Sequence, residues 1–209
     1  MARLSLTRLE LKRQRERLAR FERFLPSLRL RQQQLQLALL QTDRALAEAR
    51  ERCATARAAF DAYRAVLHDL AGLDVAAAAR PVEVRTGTAN VAGVQVPVYQ
   101  GVAFGEVAYS LFGTPPWVDR ALLDLRAVNE HDARLAVLEE ARARLRHELV
   151  RVLQRVNLFE KVKIPEAQHV IHRIRVHLGD EMAAAVGRGK IAKARIVEPE
   201  RAPVAEVGP

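Results

Sequence analysis

The sequence has 209 residues, enough to bury a sizeable core, and its 5% aromatic content with abundant Ala, Leu, Arg and Glu is typical of long helices. A formal net charge of +9 favours an anionic partner, whether nucleic acid, anionic lipid or an acidic protein surface. The lone Cys53 excludes an intrachain disulfide, and no apolar run reaches the ~18 residues of a membrane-spanning helix. We therefore expect a cytoplasmic protein.

A long coiled-coil helix is the first predicted element, over residues 1–75. Alternate steps of three and four residues from Leu4 to Leu70 give twenty seam positions, of which sixteen are apolar. Such a sustained heptad pattern predicts a coiled coil. Pro26 lies inside this helix and predicts a bend there. The seam residues on which the prediction depends are Leu11, Leu18, Leu25, Leu35, Leu39 and Leu46.

A change of composition marks the second element, over residues 76–116. Glycines and alternating valines replace the heptads, and they predict a small β-rich insert at the tip of a helical hairpin. We expect one short strand through Val94, Val96 and Val98 and another at 102–104. Gly93 and Gly101 are the predicted turn residues.

A second coiled-coil helix is predicted over residues 117–196. Its seam runs through Leu145, Leu149, Val152 and Val156 to Phe159, and then resumes at Ile164, one residue late. Because Pro165 follows at once and has no N–H to donate, we expect a bend or opening here. The Pro-rich segment 197–209 is predicted to be disordered.

The fold class that follows is mainly α. We expect a long antiparallel two-helix coiled-coil hairpin with a small β-rich insert at its tip, because a helix with such a seam must bury it against a partner. In this arrangement the two chain termini meet at the far end. Two hairpin prolines, Pro26 and Pro165, would then lie at about the same level.

Catalytic motifs are poor in this sequence. The segment 187–193, GRGKIAK, lacks the spacing and the Ser/Thr of a phosphate-binding loop. His169, His172 and His177 lie near Asp180, but solvated helical histidines are favoured over a metal site. We expect no catalytic residue, no cofactor and no metal ion.

Basic residues concentrate at the end where the two termini would meet. Residues 1–31 carry ten Lys and Arg against three Glu, and the second helix adds further basic residues beyond 160. This one-ended charge on two separate helices predicts an anionic environment for that end. Few aromatic residues accompany it, which disfavours stacking on bases.

Three segments resemble the D subunit of rotary V-type and A-type ATPases. They are LTRLELKRQRERL at residues 6–18, RVNLFEKVKIP at 155–165 and GKIAKARI at 189–196, and NVAGVQVP at 90–97 resembles the insert of the bacterial branch. The likeness covers nearly the whole chain. This sequence departs from the family in having Leu6 before Thr7 and Arg8, where a proline is usual.

The resemblance implies a non-catalytic rotor shaft that couples ATP hydrolysis or synthesis to ion translocation. Its implied partners are the catalytic A and regulatory B subunits of a hexameric head, the F subunit and the cap of the membrane ring, in a complex peripheral to the membrane. No nucleic acid and no membrane span are expected. The residues implied as contacts between rotor and stator are Arg8, Lys12, Arg15, Arg155, Asn157, Lys161, Lys163 and Arg173. The alternatives are a nucleic-acid-binding hairpin and a scaffolding coiled coil.

Overall fold

The computed structural model of the chain describes residues 5–64, 74–109 and 113–197. Helices account for 78% of it, with a long helical hairpin and a small two-stranded antiparallel insert, so the predicted fold class is confirmed. The predicted disordered tail lies outside the described residues except for Val197. The seam positions Leu4, Leu67 and Leu70 also lie outside them.

Seven elements follow one another along the chain. They are α1 (Arg8–Arg64), α2 (Val75–Ala78), β1 (Pro81–Val91), β2 (Val94–Phe104), α3 (Trp117–Leu158), a π-helical turn (Phe159–Lys163) and α4 (Ile164–Val197). The Thr7 hydroxyl caps α1 by accepting a hydrogen bond from the Glu10 amide at 3.3 Å, as is usual for a threonine at a helix start. None of the described helices is both long enough and apolar enough to cross a bilayer.

The chain folds into two compact units, which divide at 27/28 and at 154/155. We call them the terminal unit, with described residues 5–27 and 155–197, and the central unit, with described residues 28–64, 74–109 and 113–154. The first division falls one residue after Pro26.

The insert is one β-hairpin, whose strands β1 and β2 pair in antiparallel register from Pro81↔Phe104 to Val91↔Val94. Ala92 and Gly93 form its two-residue turn, with φ of 50° and 80°. Positive φ at both central residues is what the right-handed twist of a tight hairpin requires. The Gly93 amide also donates to the Asn90 side chain at 2.9 Å. Gly93 is therefore a turn residue, as predicted.

Two details of the insert differ from the sequence prediction. The predicted short strands are one continuous strand, β2, and Gly101 lies within it rather than in a turn. The pairing shifts between Arg85↔Gly101 and Thr86↔Tyr99, which leaves Gln100 as an extra residue in a β-bulge. Gly101 has φ 156°, a conformation that the bulge requires and that residues with a Cβ rarely adopt.

The core of the central unit is the seam between α1 and α3. Leu35, Leu46, Leu145 and Val152 are buried there. Ion pairs cross the flank of the seam, joining Arg142 to Asp43 at 2.5 Å, Arg50 to Glu139 at 2.8 Å and Arg57 to Asp132 at 2.7 Å. These pairs fix the register of the two antiparallel helices, although exposed pairs of this kind add only about 0–1 kcal/mol each.

Asp132 anchors a small polar cluster beside this seam. Its carboxylate accepts two hydrogen bonds from Arg57, both at 2.7 Å, and one from the buried Cys53 thiol at 3.1 Å. Partial burial alone would raise the pKa of Asp132, but the hydrogen bonds from Arg57 and Cys53 outweigh it and lower that pKa. Burial, followed by the hydrogen bond to Asp132, raises the pKa of the Cys53 thiol. Cys53 is thus a protonated seam residue at neutral pH.

The hairpin lies alongside α3 and is fastened to it at both ends. Near its base, Arg126 donates to the Gly105 carbonyl at 2.7 Å and stacks over the Phe104 ring at 5.3 Å. Towards its turn, Arg144 donates to the Gln95 carbonyl at 3.3 Å. Between these points the Tyr99 hydroxyl donates to Glu130 at 3.2 Å. The insert therefore follows the helical pair instead of pointing away from it.

Candidate functional site

The candidate site is the charged surface of the terminal unit. Its described residues carry 16 Lys and Arg against seven Asp and Glu, whereas residues 28–154 carry 16 against 15. The terminal unit therefore accounts for a formal excess of nine positive charges, and the remainder is close to neutral. We call the exposed Lys and Arg side chains of residues 5–27 and 155–197 the basic surface.

Three of the predicted contact residues lie on the first helix. Arg8, Lys12 and Arg15 are exposed, and their spacing of four and three residues puts them on one face of α1. The core of the terminal unit lies on another face, because Leu11, Leu18 and the Phe21 ring follow the seam spacing. The capped start of α1 thus presents a short row of three positive charges to solvent.

The other predicted contact residues lie on α3, the π-helical turn and α4. Arg155, Asn157, Lys161 and Arg173 are exposed, whereas Lys163 is half-buried and lies 3.5 Å from Glu166. Within residues 5–64, 74–109 and 113–197, no ion pair involves the other basic contact residues. They are Arg8, Lys12, Arg15, Arg155, Lys161 and Arg173. These charges are free to meet an acidic partner.

Packed side chains hold the two helical segments of the terminal unit together beneath these charges. The Phe21 and Phe159 rings meet edge to face, with centroids 5.3 Å apart and planes at 82°. Ile171 and Ile174 are buried on α4. Gln14, a polar seam residue, is also buried, and its amide donates to Glu10 at 2.7 Å. The charged face of α1 therefore lies beside the face that packs into the core.

A shallow groove of about 290 Å³ lies between α1 and α4 in this unit. Arg15 and Glu22 border it on α1, and His172 and Arg175 border it on α4, above an apolar floor that includes Leu18. Arg15 is one of the predicted contact residues, whereas Arg175 belongs to the predicted basic end without being a predicted contact. Its place beside Arg15 depends on the pairing of two distant segments, which composition alone does not reveal.

The π-helical turn accounts for the late resumption of the second seam. Residues Phe159–Lys163 form the turn, and the Ile164 amide donates to the Phe159 carbonyl, five residues back instead of four. One extra residue is thereby accommodated without rotating the apolar stripe, so that Val156 before the turn and Ala167 after it are both buried. Pro165 is the second residue after the turn and is exposed. The sequence located the irregularity correctly but not its π-helical form.

Pro26 behaves differently from Pro165. It is exposed inside α1, which continues through it without a break in helical structure. Ser27 donates its hydroxyl proton to the Phe24 carbonyl at 2.8 Å, which satisfies one acceptor in this turn. The bends expected at Pro26 and Pro165 remain predictions.

The seam residues named from the sequence lie on the inner face of their helices. Leu35, Leu46, Leu145, Val152 and Val156 are buried. The others are half-buried, namely Leu11, Leu18, Leu25, Leu39 and Leu149. In the described part of the chain, no group of three or more His, Cys, Asp or Glu side chains could hold a metal ion.

Comparison with known proteins agrees with this architecture. The profile of the ATP synthase D-subunit family matches residues 10–194. The chain belongs to this family. The V-type ATP synthase D subunit of Borreliella burgdorferi is 31% identical over 201 residues, which cover 96% of this chain and 98% of that protein. The V-type ATP synthase D subunit of Chlamydia felis is 32% identical over 194 residues, with 92% and 93% covered.

Proposed function

We propose that this chain is the central rotor shaft of a rotary V/A-type ATP synthase. It couples ATP hydrolysis or synthesis in the head to ion translocation by the membrane ring. The observation that carries the proposal is the confinement of the charge excess to exposed faces of the terminal unit, in a member of this family. The rest of the chain is nearly neutral, so the basic surface is a local feature and not a general property of the protein.

Weak charged contacts suit a part that must turn. Exposed ion pairs contribute about 0–1 kcal/mol each and form and break readily, whereas a buried pair would hold the shaft at one angle. The residues proposed to meet the stator in this way are Arg8, Lys12, Arg15, Arg155, Asn157, Lys161, Lys163 and Arg173. As the shaft turns, each catalytic interface of the head meets a different side of it.

The assembly that follows contains the A and B subunits in a hexameric head around the terminal unit. The F subunit and the cap of the membrane ring bind elsewhere on the chain. ATP chemistry belongs to the head, so this chain contributes no catalytic residue and needs no cofactor. Its place is cytoplasmic and peripheral to the membrane. Bends at Pro26 and Pro165 would make the shaft eccentric, so that rotation and catalysis are coupled by shape.

A nucleic-acid-binding hairpin is the alternative that the charge alone would allow. Single-stranded nucleic acid is held by aromatic side chains on which bases stack. In the described part of the terminal unit the aromatic residues are Phe21, Phe24 and Phe159, and two of them pack against each other. This surface is therefore better suited to acidic protein loops than to bases.

Native mass spectrometry of the chain mixed with the A and B subunits of the same organism tests the proposal. We expect one copy of the chain in each hexameric head. A head that stays empty while the chain remains free or forms a homodimer would refute it. In that case the affinity for RNA at several salt concentrations would distinguish a nucleic-acid-binding hairpin from a scaffold.

A further inference from the structure

The groove of about 290 Å³ in the terminal unit is formed by one face of α1 and one face of α4. Its lining residues lie at positions i, i+3, i+4 and i+7 of each helix, counted from Arg15 on α1 and from Gln168 on α4. This spacing is one continuous stripe of a helix surface. Both stripes belong to the same compact unit, so the groove is complete within a single chain.

Positive charge is collected at one end of this groove. Arg15 is the first residue of its stripe and Arg175 is the last of the other, so the antiparallel course of the helices brings both towards the same end. His172 lines the groove one turn from Arg175. Glu22 is the one carboxylate among the described lining residues, and it lies towards the opposite end. The charges of the groove are therefore sorted along its length.

The positive end of the groove has no counter-charge from the chain itself. Within the described residues, neither Arg15 nor Arg175 forms an ion pair or a side-chain hydrogen bond. The next turn outward adds a further positive charge, Lys12, on α1, and on α4 it offers only Leu178 and Gly179. Like charges that share a groove repel each other, and an anion between them removes this cost.

The donors at this end suit an oxyanion. An arginine guanidinium presents its N–H groups as a planar fork that can pair with two oxygens of one phosphate. Two arginines that approach from different helices can therefore engage different pairs of oxygens on one tetrahedral anion, and the His172 imidazole adds a third donor. The half-buried Leu18 and the buried Ile171 form an apolar floor, which leaves fewer water molecules to compete for these donors.

We propose that Arg15, His172 and Arg175 form a binding site for a phosphate group, supplied either as inorganic phosphate or as the terminal phosphate of a nucleotide. Exposed charges attract weakly in water, so we expect a dissociation constant of about 1–10 mM. The inference does not depend on the proposed function, because the site lies within this chain. A bound phosphate neutralises part of the basic surface and thereby weakens the attraction of this surface for an acidic partner.

A nuclear magnetic resonance titration of the full chain with inorganic phosphate, at an ionic strength held constant with sodium chloride, tests the site. We expect saturable shifts of the Nε–H signals of Arg15 and Arg175 and of the His172 imidazole signals. Arg175→Gln should weaken phosphate binding by at least about fivefold. Arg188→Gln removes another exposed arginine of α4, outside the groove, and is the matched control that should leave the affinity unchanged.

Glu22→Gln provides a test in the opposite direction. Removing the one carboxylate of the groove removes its repulsion of the anion, so phosphate should bind about 1.5- to 5-fold more tightly. A variant that folds poorly does not gain affinity in this way. If neither Glu22→Gln nor Arg175→Gln changes the affinity, the inference is wrong. Shifts of all basic side chains together, without saturation, would reveal only a diffuse cloud of counterions and would also overturn it.

A parallel titration with ADP distinguishes the two sources of the phosphate group. An affinity for ADP no greater than that for inorganic phosphate supports free phosphate as the ligand, and an affinity at least about tenfold greater supports a nucleotide. Binding of a hexaglutamate peptide with no binding of phosphate or ADP would instead assign the groove to contacts with acidic protein segments, and would overturn the inference. Failure of the phosphate site leaves the rotor proposal standing, since the native mass spectra test that proposal separately.

Discussion

At the residue scale, the hydrogen bonds from Arg57 and Cys53 to the Asp132 carboxylate predict a pH-dependent contribution to stability. The lowered pKa of Asp132 means that its charged form stabilises the folded state. This contribution is present above the unfolded-state pKa of about 4 and is lost as the pH falls through the lower folded-state value. The cluster should therefore stabilise the chain at neutral pH and not in strong acid.

Asp132→Asn should lower the free energy of unfolding at pH 7 by about 0.5–1 kcal/mol, the range expected for a partly exposed ion pair. At a pH near 2.5 most of this difference should disappear, because the parent's own carboxylate becomes protonated. Urea titrations at both pH values measure it. Glu48→Gln is the control, since its pair with Arg52 is exposed and loose at 3.9 Å. If Asp132→Asn lowered the free energy of unfolding equally at both pH values, the charge of Asp132 would not be the reason for the loss.

Tyrosine ionisation gives a second residue-scale prediction, at the alkaline side. Burial and the hydrogen bond to Asp124 raise the pKa of Tyr63 to about 12. The pKa of Tyr99 is raised by burial and by Glu130, and that of Tyr109 by its hydrogen bond to Asp119 and by burial. Because the folded state keeps protons that the unfolded state releases above pH ~10, stability should fall as the pH rises from there.

Ultraviolet absorbance of tyrosinate at pH 10.5 should therefore show less ionisation of the folded chain than of the chain unfolded in urea, in which about three quarters of the tyrosine side chains should be ionised. Tyr63→Phe should remove the component that titrates near pH 12. Titration of all three tyrosines in the folded chain near pH 10 would contradict the contacts described here.

At the element scale, the position of the π-helical turn could be predicted from the sequence, but its π-helical form could not. Heptad spacing located both long helices and the skipped residue after Phe159, because an apolar stripe must continue on one face. Proline chemistry pointed to Pro165 as the cause. The structure instead accommodates the skip in the turn before the proline, since either a π-helical turn or a kink can absorb one residue and the sequence does not choose between them.

The insert and the site were harder to predict for physical reasons. Gly101 looked like a turn residue because glycine serves turns and bulges equally, and only the register against Arg85 and Thr86 distinguishes them. The long first strand was missed because its middle, RTGTAN, is polar and exposed. Partners such as Arg57 and Asp132, or neighbours such as Arg15 and Arg175, lie far apart in sequence and meet only through the register.

Deleting Val162, an exposed residue of the π-helical turn, should restore ordinary α-helical spacing between Phe159 and Ile164 while keeping the seam in phase. The ring of Pro165 would then crowd the preceding turn, so the deletion is best combined with Pro165→Ala. We expect the combined variant to melt at or above the parent's temperature, with slower amide exchange over residues 160–166.

Deleting Arg146 is the control for this experiment. It removes an exposed residue from regular α-helix between Leu145 and Leu149, shifts the following seam by about 100°, and should lower the melting temperature substantially. Circular dichroism during heating compares the two deletions. If the two deletions lower the melting temperature equally, the π-helical turn does not serve to accommodate an extra residue.

At the scale of the whole molecule, the chain divides its surface into regions with different physical character. The terminal unit presents positive charge over a packed core, whereas the central unit is nearly neutral and has exposed leucines and a mostly apolar groove. Charge attracts over roughly a Debye length and tolerates changes of angle, whereas apolar packing needs a fixed fit. A charged surface is therefore suited to a partner whose orientation changes, and an apolar surface is suited to a partner that stays in one position.

The proposed rotor function, together with this division, predicts how salt should affect the proposed binding to the A/B head. The double variant Lys12→Gln, Arg15→Gln loses two exposed charges of one face. Each contributes about 0.2–1 kcal/mol to a charged contact, so the affinity should fall about 2- to 30-fold at low salt. Above about 0.5 M salt the difference should shrink to less than about twofold, because screening removes the contribution from the parent as well.

Arg80→Gln removes an exposed charge of the central unit and is expected to leave the affinity unchanged at either salt concentration. A loss that persists in high salt would instead indicate that these side chains pack into the head, and then a shaft held by many weak charges would be the wrong description of the contact.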